Sequence, residues 1–332
     1  MKKTRLWART LLLITALAAV CFYLSKLEKL QFSDGRPQRA GRIDDSEVQE
    51  EQRRIEEAAA GLEERSAVEA QGEIFRDNGR LNILLIGTDE HTPEFSADAR
   101  GDCCMLLSLG KRDGSIRLAS FERGMGVPLP EGEHRGEYDW LTHMFAYGGA
   151  ELMMREIREC FRVDVERYVR VNLSAFERGI DTIGGLELEL TQAEAEYLNK
   201  YTRRSLYAPG VNRLDGLGAL TYVRCRSIDS DWQRIERQRR VLQAALDETK
   251  GLDAKELNRL LDSVLPLVQT NLTRLEITGL LLLAPSYQGR TAGQLTVPVE
   301  GSYGVMTGMG GRSMFAADFD ENARALRRFL YE

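Results

Sequence analysis

The sequence predicts a mixed α/β fold: a central β-sheet, mostly antiparallel or mixed, flanked by helices, with an N-terminal transmembrane helix and a helical stalk ahead of it. Three observations carry that expectation. Short apolar runs suited to buried strands, "LNILLIG" and "CCMLLSL" among them, alternate with amphipathic segments from residue 81 onwards. After Gly210 the pattern turns helical. Ahead of residue 80 the chain is first basic and apolar, then densely charged.

Residues 1–30 read as a cytoplasmic tail and transmembrane signal anchor. "MKKTRLWART" carries Lys2, Lys3, Arg5 and Arg9 with no acid, and the apolar "LLLITALAAVCFYL" follows. The apolar core, Leu11 to Leu24, is shorter than the about 20 residues of a full span. Leu6, Trp7 and Ala8 extend it across Arg9, whose long side chain can snorkel. A cleaved signal peptide ending after "ALAA" is the alternative. The anchor reading places a single-pass protein in the cell membrane with its C-terminal domain outside. Residues 31–79, rich in Glu, Arg and Ala with few large apolar residues, read as a charged, solvated helical stalk.

Residues 80–332 show no linker and are expected to form one extracytoplasmic catalytic domain. Its strands are expected at Leu81 to Ile86, "CCMLLSL", "SIRLASF", "VERYVRVNL", "LELEL" and, late in the chain, "QLTVPVEG". Ser174 with Glu177, and Thr191 with Glu194, fit helix capping boxes. In "GGAELMMREIREC", Leu152, Ile157 and Cys160 are spaced for an inward helix face. "LDGLGALTYV", "SDWQRIERQRRVLQAALDET", "DAKELNRLLDSVLPLV", "TRLEITGLLLLA" and "DENARALRRFLYE" supply the later helices.

Composition removes some functions. With 332 residues, 43% hydrophobic and 29% charged, the chain can bury a large core. A net charge of −6 and a pI near 5.5 argue against nucleic-acid binding by bulk electrostatics, so any basic site must be a local cluster. Cys103, Cys104, Cys160 and Cys225 form no CxxC pair and read as buried thiols rather than a zinc site.

The chemistry concentrates in "LLIGTDEHTPEFSADARGDCCMLLSL". Asp89 leaves one expected strand and Asp102 enters the next, so antiparallel pairing would bring two carboxylates together. At about 4 Å they would repel by about 4 kcal/mol at an effective dielectric near 20. A divalent cation removes that cost, and Mg2+, with Mn2+ as its substitute, suits a pair of carboxylates that leaves other positions to water and phosphate oxygens. On spacing alone, two exposed loop acids that never meet remain the alternative. Arginines stand where phosphate would need them. Arg224 and Arg226 would share a face if "TYVRCRS" is extended, with Val223 and Cys225 packed on the other. In "DWQRIERQRRVL", Trp232, Ile235, Leu242 and Leu246 mark the buried side of a helix, and Arg234 and Gln238 share another. Arg237, Arg239 and Arg240 read as solvated surface charge. Arg123 follows directly from a buried strand and is a further candidate anion ligand, with an ordinary strand-end arginine as the alternative.

These residues resemble the LytR-CpsA-Psr family, also called cell-envelope-related transcriptional attenuators. "LLIGTD", "ARGDCCMLLSL" and "ASFER" are similar to its strand, G-[ST]-D, R-x-D and S-x-x-R pattern. "DWLTHMFAYGGAELMMREI", "VERYVRVNLSAFERGIDTIGGLELEL" and "GVNRLDGLGALTYVRCRSIDSDWQRIERQRRVLQAAL" resemble its later motifs, in order, across residues 80 to 250.

The resemblance implies a membrane-anchored, Mg2+-dependent phosphotransferase. Such a glycopolymer ligase moves a glycan phosphate from an undecaprenyl pyrophosphate carrier to a peptidoglycan hydroxyl in cell-wall assembly. Its partners are the polyprenyl-pyrophosphate-linked glycan and peptidoglycan, with no nucleic acid. By that resemblance Asp89 and Asp102 hold the metal, Asp89, Asp102 and Arg123 are catalytic, and Arg123, Arg224, Arg226, Arg234 and Gln238 bind pyrophosphate. The lipid tail would need an apolar pocket, with "ITGLLLLAPS" or the Met153 and Met154 helix as lining. The chain departs from the pattern at Glu122 and Gly124, where the family has proline and aspartate around the arginine. It departs again at Trp140 and Thr142, where the family has lysine and asparagine; His143, Arg135 and Lys111 are the cations that could replace that lysine. A non-catalytic regulator or sensor that binds polyprenyl pyrophosphate is the alternative function, and hydrolysis with water as acceptor a third.

Overall fold

The computed structural model describes residues 26–332, apart from 37–44, 91–93, 97–98, 131–133, 226, 251–252 and 288–289. In chain order its strands are β1 (Gln31–Phe32), β2 (Arg80–Thr88), β3 (Gly101–Gly110), β4 (Ile116–Phe121), β5 (Gly126–Pro128), β6 (Tyr138–Trp140) and β7 (Arg167–Asn172). Then come β8 (Leu186–Leu190), β9 (Gly210–Leu214), β10 (Val268–Thr270), β11 (Gly293–Val297), β12 (Tyr303–Thr307) and β13 (Ser313–Ala317). Seven of them make the central sheet, in the order β1-β10-β7-β2-β3-β4-β11. The sheet is mixed: β2 runs antiparallel to β3 and parallel to β7, β3 runs antiparallel to β4, and β11 joins β4 in parallel. β5–β6, β8–β9 and β12–β13 are separate antiparallel ribbons.

Both faces of the sheet are covered, which is why β2 reads as an unbroken apolar run. Leu84 and Ile86 point into a core shared with the helices Leu141–Phe161 and Phe319–Tyr331. Ile83 points the other way, into a core that includes Leu109, Leu272 and Ile277 under the helix Arg274–Tyr287. A third core, built on Leu186, Leu198, Leu214 and Tyr222, joins the β8–β9 ribbon to the helices Gln192–Thr202, Gly216–Val223 and Asp231–Thr249. The mixed α/β sandwich expected from the pattern is therefore present. Met153 and Met154 both lie buried in the first core.

Local helix signals had mixed fates. Thr191 and Glu194 form the full reciprocal capping box. Ser174 caps nothing, because β7 ends one turn earlier and Asn172 accepts from the Ala175 amide at 2.8 Å, starting the helix Leu173–Thr182. The four described cysteines are free thiols.

The N-terminal expectations need correction. The apolar run over 11–24 lies outside the described residues. Among the described residues no helix is long and apolar enough to cross a membrane, so the single-pass anchor and the cell-membrane localisation built on it find no support there. The end of the segment assigned to the anchor belongs to the domain instead: Leu27 and Leu30 are buried against Val268, and β1 extends the sheet in parallel with β10. The charged segment that follows does form a helix, Asp45–Ala58, but the helix lies on the domain. Its Ile55 is buried with Trp140, Met314 and Phe315, and Ser313 exchanges hydrogen bonds with Gln52 at 3.0 and 3.3 Å. One well-placed isoleucine suffices to seat a helix whose other described positions are mostly polar.

Candidate active site

The β2–β3 ladder places the two aspartates. Cross-strand partners run regularly from Arg80 and Gly110 to Gly87 and Cys103, then Thr88 pairs with Gly101. Asp102 is thus the extra residue of a β-bulge, the device that re-aims a side chain at the end of a ladder. Gly87 is required opposite it, since a β-carbon there would stand 2.8 Å from that of Cys103. Asp89 follows β2 immediately, so both carboxylates leave the same end of neighbouring strands.

Each carboxylate has a defined set of donors. Asp89 accepts from the Arg100 amide at 2.9 Å and from its guanidinium at 3.0 and 3.2 Å. Asp102 Oδ1 accepts from Arg123 Nη1 at 2.5 Å and from Thr142 Oγ1 at 3.3 Å, while Arg234 Nη1 donates to the Asp102 carbonyl at 3.1 Å. Burial, and then the nearby charge of Asp102, push the Asp89 carboxyl above its ordinary value even though Arg100 opposes them. The two acids thus stand at the same end of neighbouring strands, near enough for the charge of Asp102 to act on Asp89.

A divalent cation would relieve the repulsion between the carboxylates, and Asp89 Oδ1, which accepts from the Arg100 amide, keeps a lone pair that could serve one. Among the described residues no group of three or more His, Cys, Asp or Glu side chains is placed to hold a metal. Two carboxylates alone suit Mg2+, which keeps several waters and takes phosphate oxygens for the rest of its octahedron.

The arginines divide. Arg123 and Arg234 are brought to Asp102, at 4% and 2% exposure. Gln238 sits half-buried one turn beyond Arg234 on the helix Asp231–Thr249. Arg224 is exposed, but on the end of a helix rather than on a strand: Gly216–Val223 is helical and Arg224 is its C-cap, so the chain is not extended there as the clamp reading required. Arg226 itself lies outside the described residues. Arg237 and Arg239, expected as surface charge, are buried. Arg237 grips Asp229 at 2.6 and 2.7 Å and the Cys225 carbonyl at 2.8 Å, bracing the turn that carries Arg224. Arg239 donates to Ser120 at 2.9 Å and to the Leu295 carbonyl at 2.9 Å, tying its helix to β4 and β11. Leu246, expected on the buried side, is exposed because that helix outruns the core.

A second charged network flanks the first. Buried Asp139 accepts from the Trp140 amide at 2.8 Å, from Tyr147 Oη at 2.6 Å and from Arg312 Nη1 at 2.8 Å, and pairs with His143 Nδ1 at 3.0 Å. Burial raises the Asp139 carboxyl, but these bonds and the Arg312 charge win and hold it below the usual range. Burial depresses His143 below its ordinary value, and with the charges of Arg312 and Arg100 it outweighs the opposing bond and charge of Asp139. Of the three cations suggested to replace the absent lysine, His143 is consumed in this network. Lys111 bonds to the Asn78 carbonyl at the far end of β3, and Arg135 is exposed in a turn. The cation beside Trp140 is Arg312, whose guanidinium lies 5.9 Å from the ring centroid.

Arg100, Thr142, Asp139 and Arg312 escaped the sequence reading. Arg100 had a signal, standing two residues before Asp102 and so on the same side of an extended chain. Arg312 had none, because it reaches the site from a ribbon more than 170 residues away in the chain.

The chain is similar to known proteins in sequence and in fold. A polyisoprenyl-teichoic acid–peptidoglycan teichoic acid transferase, TagU, of Oceanobacillus iheyensis is 30% identical over 238 residues, covering 69% of this chain and 69% of the relative. The Bacillus subtilis transferase TagT is 29% identical over 221 residues, 65% of this chain and 67% of that protein. Among solved structures, TagT bound to LIIa-WTA superposes with a TM-score of 0.61 at 25% identity, over 82% of this chain and 98% of that one. A protein from Streptococcus agalactiae shares the fold with a TM-score of 0.64 at 21% identity, over 76% and 88% of the two chains. The LytR_cpsA_psr family profile matches residues 44–327, which include both aspartates, every described arginine of the site and the helix Asp45–Ala58. The chain belongs to the LytR-CpsA-Psr family.

Proposed function

We propose that this chain is a phosphotransferase that moves a glycan phosphate from a polyprenyl pyrophosphate carrier to a hydroxyl of peptidoglycan. The observation that carries the reading is the placement of Asp89 and Asp102 at one end of the β2–β3 ladder, with Arg123 and Arg234 bonded to Asp102, in a chain whose relatives are transferases of this kind.

The transfer makes one bond and breaks one. An oxygen of the acceptor sugar attacks the phosphorus attached to the glycan, and its proton passes to a base. The bond from that phosphorus to the bridging oxygen breaks, and the bridging oxygen departs with its electron pair as polyprenyl phosphate. Such transfer asks a protein chiefly for positioning and for neutralisation of charge on the phosphoryl oxygens. A divalent cation held by Asp89 and Asp102 would supply Lewis-acid neutralisation there. The chain's own part is to keep the two carboxylates aimed, through the bonds of Arg100 to Asp89 and of Arg123 to Asp102, and to present cations to the pyrophosphate. Arg224, exposed on its helix end, and Arg234 beside Asp102 are placed for that. Preorganised donors of this kind act without reorganisation cost at the moment of reaction.

The purified chain, incubated with a polyprenyl-pyrophosphate oligosaccharide, peptidoglycan fragments and Mg2+, should release polyprenyl monophosphate and form a sugar phosphodiester detectable by mass spectrometry. Tight binding of the lipid with no product would refute the reading and make the protein a binder of the same carrier.

A further inference from the structure

Glu51 precedes every motif of the site, yet it is 7% exposed and its carboxylate is paired with Nη2 of Arg123. The same guanidinium donates through Nη1 to Asp102 at 2.5 Å. Glu51, Arg123 and Asp102 therefore form a line from the interior to the site, with the partly exposed Asp102 at its outer end. A guanidinium is planar and its donors are fixed in a fork, so engaging Nη2 orients the hydrogen bond made by Nη1.

The helix that carries Glu51 is held by contacts of interior quality rather than laid over the surface. Ile55 is buried in one cluster with Trp140, Met314 and Phe315. Gln52 and Ser313 bond reciprocally, and the Trp140 indole N–H donates to the Ser313 carbonyl at 2.9 Å. A β-carbon at position 124 would stand 2.7 Å from Cδ1 of Ile55, so glycine lets that side chain seat as it does, and a larger residue would have to displace it. Gly124 and Trp140, two positions where the chain departs from the family pattern, are thus both parts of the seat for this helix. Elements built to open carry few buried contacts; this one has a buried isoleucine, a buried ion pair and a reciprocal amide bond.

We propose that Glu51 is a positioning residue of the transfer site, acting through Arg123 to hold the Asp102 carboxylate in its working orientation. The inference rests on the transferase reading given above. It assigns the helix Asp45–Ala58 to the active site, and it explains how the site works with glycine after the arginine: the carboxylate that engages Arg123 comes from another element.

The test compares kcat and KM for the polyprenyl-pyrophosphate oligosaccharide in the full chain and in Glu51→Gln, Glu51→Asp, Arg123→Gln and Glu51→Gln/Arg123→Gln. Glu51→Gln should lower kcat at least tenfold with KM within threefold of wild type, and Glu51→Asp should recover part of the loss. In the Arg123→Gln background, Glu51→Gln should change kcat less than twofold, because the route through Arg123 is already cut. That pair also decides the matter if Glu51→Gln alone does not fold, since removing both buried charges leaves neither unpaired. An unchanged kcat in Glu51→Gln overturns the proposal. So does a raised kcat, which would make the helix a plug over the site, or a further tenfold loss in the Arg123→Gln background. A wild-type chain without transfer activity removes the transferase reading itself, and the inference with it, a result distinct from an active wild type indifferent to Glu51.

Discussion

At Asp89, burial and the charge of Asp102 act together against ionisation, a cost that a bound cation would lower. Arg224 is the cleanest probe of the anion side, because it is exposed at a helix end and its removal should leave the fold intact. Arg224→Ala is expected to slow transfer by at least two orders of magnitude, about 3 kcal/mol of barrier, with an unchanged melting temperature; wild-type rates would remove it from the site. Glu156, buried on the helix Leu141–Phe161, tests the electrostatics of the core instead. Burial pushes its carboxyl up to about 7 from 4.5. Below pH 4.5 it is protonated in both folded and unfolded chains. Between 4.5 and about 7 only the unfolded chain ionises, so stability falls as pH rises and the loss is complete above about 7. Urea unfolding at pH 5 and pH 8 should therefore show wild type losing about 2 to 3 kcal/mol more than Glu156→Gln over that interval. Parallel losses would mean that the carboxyl is not shifted.

At the scale of elements, the helix Asp45–Ala58 shows where local reading ends. Its helicity was legible, since its Glu, Arg and Gln residues favour helix, but its burial was not. The docking depends on Ile55 and on Glu51 meeting partners at Trp140, Met314, Phe315 and Arg123, all distant in the chain. Arg237 and Arg239 were misjudged for the same reason: a run of charge looks solvated until the turn at Asp229 and the edge of β11 supply partners. Features set by a few adjacent residues fared better, as the Thr191–Glu194 box and the antiparallel pairing of β2 with β3 show. Ile55→Ala should destabilise the chain by about 2 to 5 kcal/mol through the cavity it leaves. Gly124→Ala should cost about 1 to 3 kcal/mol by overpacking against the same side chain. Denaturant unfolding measures both, and the two penalties should not add in the double variant, because alanine at 55 makes room for the new β-carbon. Additive losses would show that Ile55 and Gly124 do not meet.

At the scale of the whole molecule, the sheet is closed by pieces of chain from both ends. β1 joins β10 on one edge and β11 joins β4 on the other, pairings that short-range periodicity cannot announce. The cores between sheet and helices hold the β2–β3 end rigid, and the ribbons and the N-terminal helix bring Arg312 and Glu51 to it from opposite ends of the sequence. The central claim is that this end of the sheet performs phosphoryl transfer with Asp89 and Asp102 at its centre. The measurement that tests it most directly is the rate of polyprenyl monophosphate release by the wild-type chain and by Asp102→Ala, each with Mg2+ and with chelator. The account predicts release by wild type with Mg2+ alone, and a loss of at least two orders of magnitude on chelation or on substitution, with Asp102→Ala still folded. Release that persists in Asp102→Ala, or that ignores the chelator, would contradict it.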